Sequence, residues 1–431
     1  MNKNVELLSP AGNLEKLKIA FAYGADAVYG GVSHFSLRIR AGKEFTFETF
    51  KEGIDYAHAR GKKVYATING FPFNSQIELL KKHIIKMAEL EPDAFIVAAP
   101  GVVKLCRELA PQIDIHLSTQ ANVLNYLDAQ VFWDMGVKRI IVAREISLKD
   151  VQEIKKHLPD MEIEIFVHGS MCFAYSGRCL ISAVQMGRVP NRGSCANDCR
   201  FQYTLYAANE DHGTLFRLEE EPGVGTYIFN SKDMNLASHI KEILDSGAVD
   251  SVKIEGRTKS PYYAGVTAYA YRQAIDDYFE DKFEADKYQR ELHTTKNRGF
   301  TDAYLIHRPF EKTDSQNHDY ALSKGSYEVS GLVTEDEKHF YCKYKIYPHD
   351  EIEIFAPLNS TIEECDNELG KIYQKENGKF YISFNKILTE TAKELESVHS
   401  GNTNKIQLPG KLPYLTMLRV EIDEKDCCSF E

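Results

Sequence analysis

Long hydrophobic runs are absent from this chain. No apolar stretch approaches the roughly 18 residues of a membrane helix, and the opening Met-Asn-Lys-Asn-Val-Glu is not a signal peptide. Together these absences lead to the expectation of a cytoplasmic protein with no membrane span. His-Glu-x-x-His, Gly-x-Ser-x-Gly and Gly-x-x-x-x-Gly-Lys are missing as well. A conventional protease or nucleoside triphosphatase would have to act without its usual signature. No Gly-x-Gly-x-x-Gly follows the first apolar run, where Ser9-Pro-Ala-Gly12 stands instead, and this disfavours a dinucleotide-binding fold. An excess of positive charge is also lacking. The net charge is -11, which argues against bulk nucleic-acid binding through a uniformly basic surface.

Cysteine is scarce, with nine in 431 residues, yet four of them fall within one short stretch: Cys172, Cys179, Cys195 and Cys199. The stretch is rich in Gly, Ser, Asn and Pro, which favour loop over helix. Thiolates gathered on a loop suit a soft metal or an iron–sulfur cluster. The spacing C-x6-C-x15-C-x3-C lacks the paired C-x2-C knuckles of zinc ribbons. A 4Fe–4S cluster, a zinc ion and no metal at all stay open as readings. Cys106 and Cys342 sit in helical and strand patterns as small hydrophobes. Cys365 has no evident partner, and Cys427-Cys428 lies in the acidic tail. Residues 326–431 hold 12 Lys+Arg against 20 Asp+Glu, so most of the negative charge is there. Between Cys172 and Tyr203 the balance reverses, with Arg178, Arg188, Arg192 and Arg200 against Asp198 alone. An anionic partner fits that segment.

Short β-rich runs alternate with amphipathic helical stretches from the N-terminus. Strands are expected at Val5–Ser9, Ala27–Gly30, Lys63–Ile68, Ala94–Ala98, Ile115–Ser118, Arg139–Ala143, Glu162–Val167 and Ser251–Ile254. Several are continuous apolar runs, as in parallel strands covered on both faces. Eight βα units in order predict a (β/α)8 TIM-like barrel over residues 1–283. Strands seven and eight start 89 residues apart, against 21 to 36 elsewhere, so a cysteine-bearing insertion spans 170–235. Leaving the C-terminal end of strand seven, it must lie over the catalytic face of such a barrel. Residues 284–325 read as a connector. From Tyr327, period-two alternation predicts a small antiparallel β-barrel domain over 326–431.

Polar residues recur where barrel strands should end: Asn69, Ser118 with Gln120, Arg144 with Glu145, His168, and Lys253, Glu255 with Arg257. Gln120, Arg144, Lys253, Glu255 and Arg257 are candidates for substrate binding, and His168 for proton transfer beside the cysteine loop. Arg38 and Arg40, after strand two, offer a guanidinium pair suited to a small dicarboxylate or a phosphate. Arg188 and Arg192 are candidates for RNA phosphate contacts.

The run Glu164-Ile-Phe-Val-His-Gly-Ser-Met-Cys-Phe-Ala-Tyr-Ser-Gly-Arg-Cys-Leu-Ile-Ser182 resembles the signature of the collagenase-like peptidase family, family U32. Glu6-Leu-Leu-Ser-Pro-Ala-Gly-Asn-Leu-Glu, Gly24-Ala-Asp-Ala-Val-Tyr-Gly-Gly, Leu117-Ser-Thr-Gln-Ala-Asn, Arg192-Gly-Ser-Cys-Ala-Asn-Asp-Cys-Arg, Asn230-Ser-Lys-Asp and Val252-Lys-Ile-Glu-Gly-Arg-Thr-Lys are similar to the same family's motifs. The likeness is greatest to the branch that makes 5-hydroxyuridine at the tRNA wobble position without molecular oxygen, in a prephenate-dependent reaction. It implies a 4Fe–4S cluster on Cys172, Cys179, Cys195 and Cys199, tRNA as partner and prephenate as co-substrate. The insertion after Tyr203 is shorter than in longer members of that branch. Hydroxylation of another RNA or of a small aromatic, a collagenase-like peptidase, and a non-catalytic subunit are the alternative functions.

Overall fold

A computed structural model of the chain describes residues 5–32, 35–37, 44–172, 174–175, 179–188, 190, 193–201, 203–204, 206–208, 213, 215–217, 230–307, 315, 317 and 325–422. Its first element is strand β1 (Glu6–Pro10), followed by α1 (Leu14–Ala22), β2 (Ala27–Gly30), α2 (Phe47–His58), β3 (Lys63–Ile68) and α3 (Ile77–Ala88). Next come β4 (Ala94–Val97), α4 (Pro100–Leu109), β5 (Asp114–Leu117), α5 (Tyr126–Asp134), β6 (Arg139–Ile141), α6 (Leu148–His157) and β7 (Glu162–Ser170). The inserted segment holds α7 (Ile181–Met186), β8 (Tyr206–Ala208), β9 (Leu215–Arg217) and β10 (Asp233–Asn235). After it stand α8 (Ile240–Asp245), β11 (Ser251–Ile254), α9 (Pro261–Phe279), α10 (Ala285–His293) and β12 (Phe300–Thr301).

Local signals account for the helix starts. Thr46 and Ser147 close capping boxes on α2 and α6, Asn125 accepts from the Asp128 amide, and Ser260 precedes Pro261 at the first position of α9. Each cap satisfies amides that the first helical turn leaves unpaired. β2 and β4 are buried at every position, because helices cover one face and the barrel interior the other.

Strands β1 to β7 pair in order and in parallel, and β11 closes the ring by pairing with both β7 and β1. The expected (β/α)8 barrel is therefore present. Its lower interior holds a cluster of charge. Arg139 reaches Glu6 at 2.5 Å, Glu162 at 2.7 Å and Glu164 at 3.1 Å. Lys253 Nζ sits 2.7 Å from Glu164, while the Tyr65 hydroxyl (2.6 Å) and the Ser251 hydroxyl (3.0 Å) donate to Glu6. Burial pushes the Glu6 carboxyl up, but the charge and hydrogen bonds of Arg139 outweigh it and hold the group below its usual range.

β10 runs antiparallel to the end of β7, placing Asn235 opposite His168, and β12 adds in parallel to β10. Part of the stretch expected as a connector thus belongs to the barrel: the described residues 284–290, 297–307, 315 and 317 fall in its compact unit. Its polar composition misleads because, of the nine residues of α10, only Tyr288 and Leu292, four residues apart, are fully buried.

The second unit comprises, of the described residues, 325–422 with 22–24 and 291–296. It is an eight-stranded antiparallel half-barrel with a core of Phe340, Ile352, Ile382, Phe384 and Leu418. Tyr23 stacks on Phe355 and donates to the carbonyls of Phe355 and Leu415. Arg419, almost fully buried, bridges Glu353 and Glu291. Among the described residues no helix is long and apolar enough to cross a membrane.

Arg139→Met leaves Glu6 and Glu164 without their shared cation, so urea denaturation should show a loss of about 3–5 kcal/mol. A loss below about 1 kcal/mol would show that the barrel does not depend on the cluster. His116 stands edge-on to Tyr65 at 4.6 Å. Burial, then Arg139 and Lys253, hold its pKa well below 6.5. The unfolded chain therefore binds a proton that the folded one refuses, and stability falls as pH drops below about 6.5. His116→Phe should make that fall shallower between pH 6.5 and 5, by at most about 1.4 kcal/mol per pH unit. Identical slopes in both proteins would refute the assignment.

Candidate functional site

A cavity of about 150 Å³ opens at the C-terminal end of the barrel strands, roofed by the inserted segment. Its floor is made by Tyr29 of β2, Ile96 of β4, Ile141 of β6, Phe166 of β7 and Lys253 of β11. Thr67, Asn69, Gln120, Arg144, Glu255 and Arg257 form the wall. Cys172, Cys179, Cys195, Cys199 and Arg200 contribute the roof. Five of the seven substrate-binding residues expected from sequence thus meet the four cysteines in one space. The other two, Arg38 and Arg40, lie outside the described residues.

The wall is ordered by hydrogen bonds. Arg257 donates to the hydroxyls of Ser36 (2.7 Å) and Thr67 (3.1 Å), and to the Leu37 carbonyl. Thr67 in turn bonds Ser36 at 2.6 Å, and Asn69 accepts from the Leu37 amide. Arg144 lies 3.2 Å from Glu255 and 3.9 Å from the centre of the Phe166 ring. Gln120 sits on a 3-10 turn ended by Asn122 in the left-handed region (φ 59°). Its Nε2 is buried and donates to no partner among the described residues. Lys253 Nζ lies 4.2 Å from the Tyr29 ring centre above Glu164. Burial lowers its pKa against the pull of Glu164 and Glu255.

The roof leaves β7 through Gly169, whose φ is 109° and where a Cβ would come within 2.4 Å of the Glu255 carbonyl oxygen. Only glycine fits that close approach without strain. Beyond it α7 ends at Gly187, and Ser182 of α7 accepts from the Ala196 amide at 3.1 Å. The Asn197 amide points at Cys195 Sγ from 3.4 Å, and the Tyr203 hydroxyl donates to the Asp198 carbonyl. All four cysteines are free thiols; Cys172 and Cys195 are exposed, Cys179 and Cys199 half-buried. Burial raises the Cys199 pKa, Arg200 opposes, and the charges of Cys195, Cys172 and Cys179 raise it further. Cys199 is therefore within electrostatic reach of each of the other three sulfurs. Among the described residues no group of three or more His, Cys, Asp or Glu side chains is gathered tightly enough to hold a metal ion.

His168 lies elsewhere. It is buried among Tyr263, Tyr271 and Phe300, with ring centres 5.4 to 5.7 Å away, and Nδ1 is 3.3 Å from the Tyr271 hydroxyl. It is not among the residues lining the cavity. Arg188, half-buried after Gly187, also lies off that lining, and Arg192 is outside the described residues. Missed from sequence were the aromatic floor of Tyr29 and Phe166, and Glu164 beneath it. Glu162-Ile-Glu164 was the available signal, since two acids at period two in a fully covered strand must face a partner inside the barrel.

A sequence profile described as peptidase family U32 matches residues 12–315. A Helicobacter pylori (strain ATCC 700392 / 26695) protein named "tRNA hydroxylation protein P" is 65% identical over 418 residues, covering 97% of this chain and 99% of its own length. The Escherichia coli (strain K12) protein of the same name is 38% identical over 411 residues, covering 85% and 90%. From that organism too, "23S rRNA 5-hydroxycytidine C2501 synthase" is 34% identical over 279 residues, covering 64% of this chain and 40% of itself.

The aromatic cage around His168 implies bracing of the β7–β10 junction. His168→Ala should lower the urea-unfolding free energy by about 2–4 kcal/mol through the void it leaves. An unchanged unfolding midpoint together with lost activity would return His168 to chemistry.

Proposed function

The chain belongs to peptidase family U32, and we propose that it hydroxylates a tRNA wobble uridine to 5-hydroxyuridine without molecular oxygen, using a 4Fe–4S cluster and prephenate. The carrying observation is that four free thiols share one cavity with a cationic, aromatic-floored barrel mouth. The relatives named for tRNA and rRNA hydroxylation support RNA as the substrate class.

Cys172, Cys179, Cys195 and Cys199 would hold the cluster; in number and softness they suit iron–sulfur ligation. A bound cluster supplies one-electron redox chemistry at the roof. Beneath it, the chain's own residues bind and orient. Gln120 Nε2 and the Arg144 guanidinium present N–H donors to an anion, and a dicarboxylate such as prephenate meets that demand. Tyr29 and Phe166 exclude water from the floor, which strengthens each of these contacts. On the inserted segment, Arg200 at the roof and Arg188 away from the cavity give RNA phosphates a cationic approach despite the acidic total.

The test is mass spectrometry of tRNA nucleosides from a strain lacking this protein. Hydroxyuridine-derived wobble nucleosides should disappear and return on complementation. Complementation with Cys172→Ala, Cys179→Ala, Cys195→Ala or Cys199→Ala should restore them at least about tenfold less well. Anaerobically purified wild type should carry iron and sulfide that each variant loses. A normal nucleoside profile in the deletion strain, or full rescue by an iron-free variant, would overturn the reading.

A further inference from the structure

Lys253 is placed unlike any other lysine described in the structure. Its side chain is 4% exposed, and it belongs to the floor of a cavity rather than to the surface. A lysine buried at a barrel axis loses the hydration that normally keeps its amine an inert, protonated point charge. Here the hydration is replaced by two ring faces, Tyr29 at 4.2 Å and Phe166 at 5.6 Å, and by one carboxylate. That carboxylate is divided. Glu164 Oε1 meets Lys253 at 2.7 Å, while Oε2 meets Arg139 at 3.1 Å, so the lysine shares the carboxylate it touches with a second cation.

We propose that Lys253 forms an imine with the ketone of a small α-oxo acid bound in the cavity, with Glu164 moving the proton. A desolvated amine touching a carboxylate at the closed end of a pocket is the arrangement by which lysines become nucleophiles towards carbonyls. The oxo acid is singled out from other carbonyl compounds by the wall: Gln120 Nε2 and the Arg144 guanidinium face the cavity as donors for its carboxylate. The lowered ammonium pKa agrees with this placement. The proposal shares with the functional reading above this cavity and the donors Gln120 and Arg144, and needs neither RNA nor a cluster.

The step balances without redox change. Glu164 takes the ammonium proton, and Nζ attacks the ketone carbon while the carbonyl electron pair moves to oxygen. A proton passes from nitrogen to that oxygen, giving the carbinolamine, and Glu164 returns its own proton to the same oxygen. The C–O bond then breaks, water leaves, and C=N forms as an iminium. The positive charge that faced Glu164 at the start faces it at the end, so the barrel interior keeps its charge balance.

Cyanoborohydride trapping tests it on the full-length protein, with pyruvate and phenylpyruvate as probes. Reduction of an iminium leaves a stable secondary amine, which peptide mass spectrometry locates. The adduct should form on Lys253 in preference to the exposed Lys156 and Lys282. Lys253→Arg, which keeps the cation and its pairing, should abolish the adduct while retaining the wild-type melting temperature. Glu164→Gln should slow trapping by about a hundredfold. Absence of any Lys253 adduct with both acids, or labelling spread over surface lysines alike in wild type and Lys253→Arg, overturns the proposal. The readout involves neither RNA nor iron. A trapped adduct beside an unchanged tRNA profile would refute only the RNA assignment, and the reverse pattern would refute only the imine.

Discussion

Glu164 is the group around which the barrel is arranged. A fully buried carboxylate is tolerable only when its charge is met at close range, and Arg139 from β6 and Lys253 from β11 meet it. Arg139 extends the same network to Glu6 on β1, which Tyr65 of β3 and Ser251 of β11 also bind. Five strands are thus held to one register by groups that have no alternative partners of equal quality. A slip of one residue would reverse every side chain of a strand between interior and helix layer. The charge cluster raises the penalty for such a slip far beyond that of an apolar core. It also brings a lysine to the cavity floor, joining the structural layer directly to the functional one.

The site owes its roof to the length of β7. That strand runs nine residues, against three to six for the other barrel strands, and its excess end would be an unpaired edge. β10 covers it in the antiparallel sense, and β12 covers β10. Arg298, buried with Asp233, fastens the join. The inserted segment therefore leaves and re-enters beside the same strand, and its four cysteines are suspended over the mouth from a rigid root.

The eight barrel strands were legible from sequence to within about two residues, except that β7 runs three residues past its expected end, because parallel strands covered on both faces read as short apolar runs between helical periods. Cavity-lining residues at strand ends were legible for the same topological reason: Gln120, Arg144, Lys253, Glu255 and Arg257 all reach the cavity. The short strands β10 and β12 were not, since three and two residues carry no period. His168 shows the other limit. Its position after a strand pointed to the mouth, but its environment is set by Tyr263 and Tyr271, about a hundred residues onward on a helix whose packing no local pattern reveals.

The closure of β1 on β11 has a consequence for the order in which the molecule is made. Glu6 finds Ser251 only across 245 residues of chain, so the ring stays open until nearly three-fifths of the polypeptide has left the ribosome. The four thiols of the roof are synthesised before that point, over a barrel that has no eighth strand. Contacts so distant in sequence form late and slowly. A nascent chain paused before Ser251 therefore presents its cysteines from an incomplete ring, and the final strand, in arriving, both seals the barrel and brings the lysine under them.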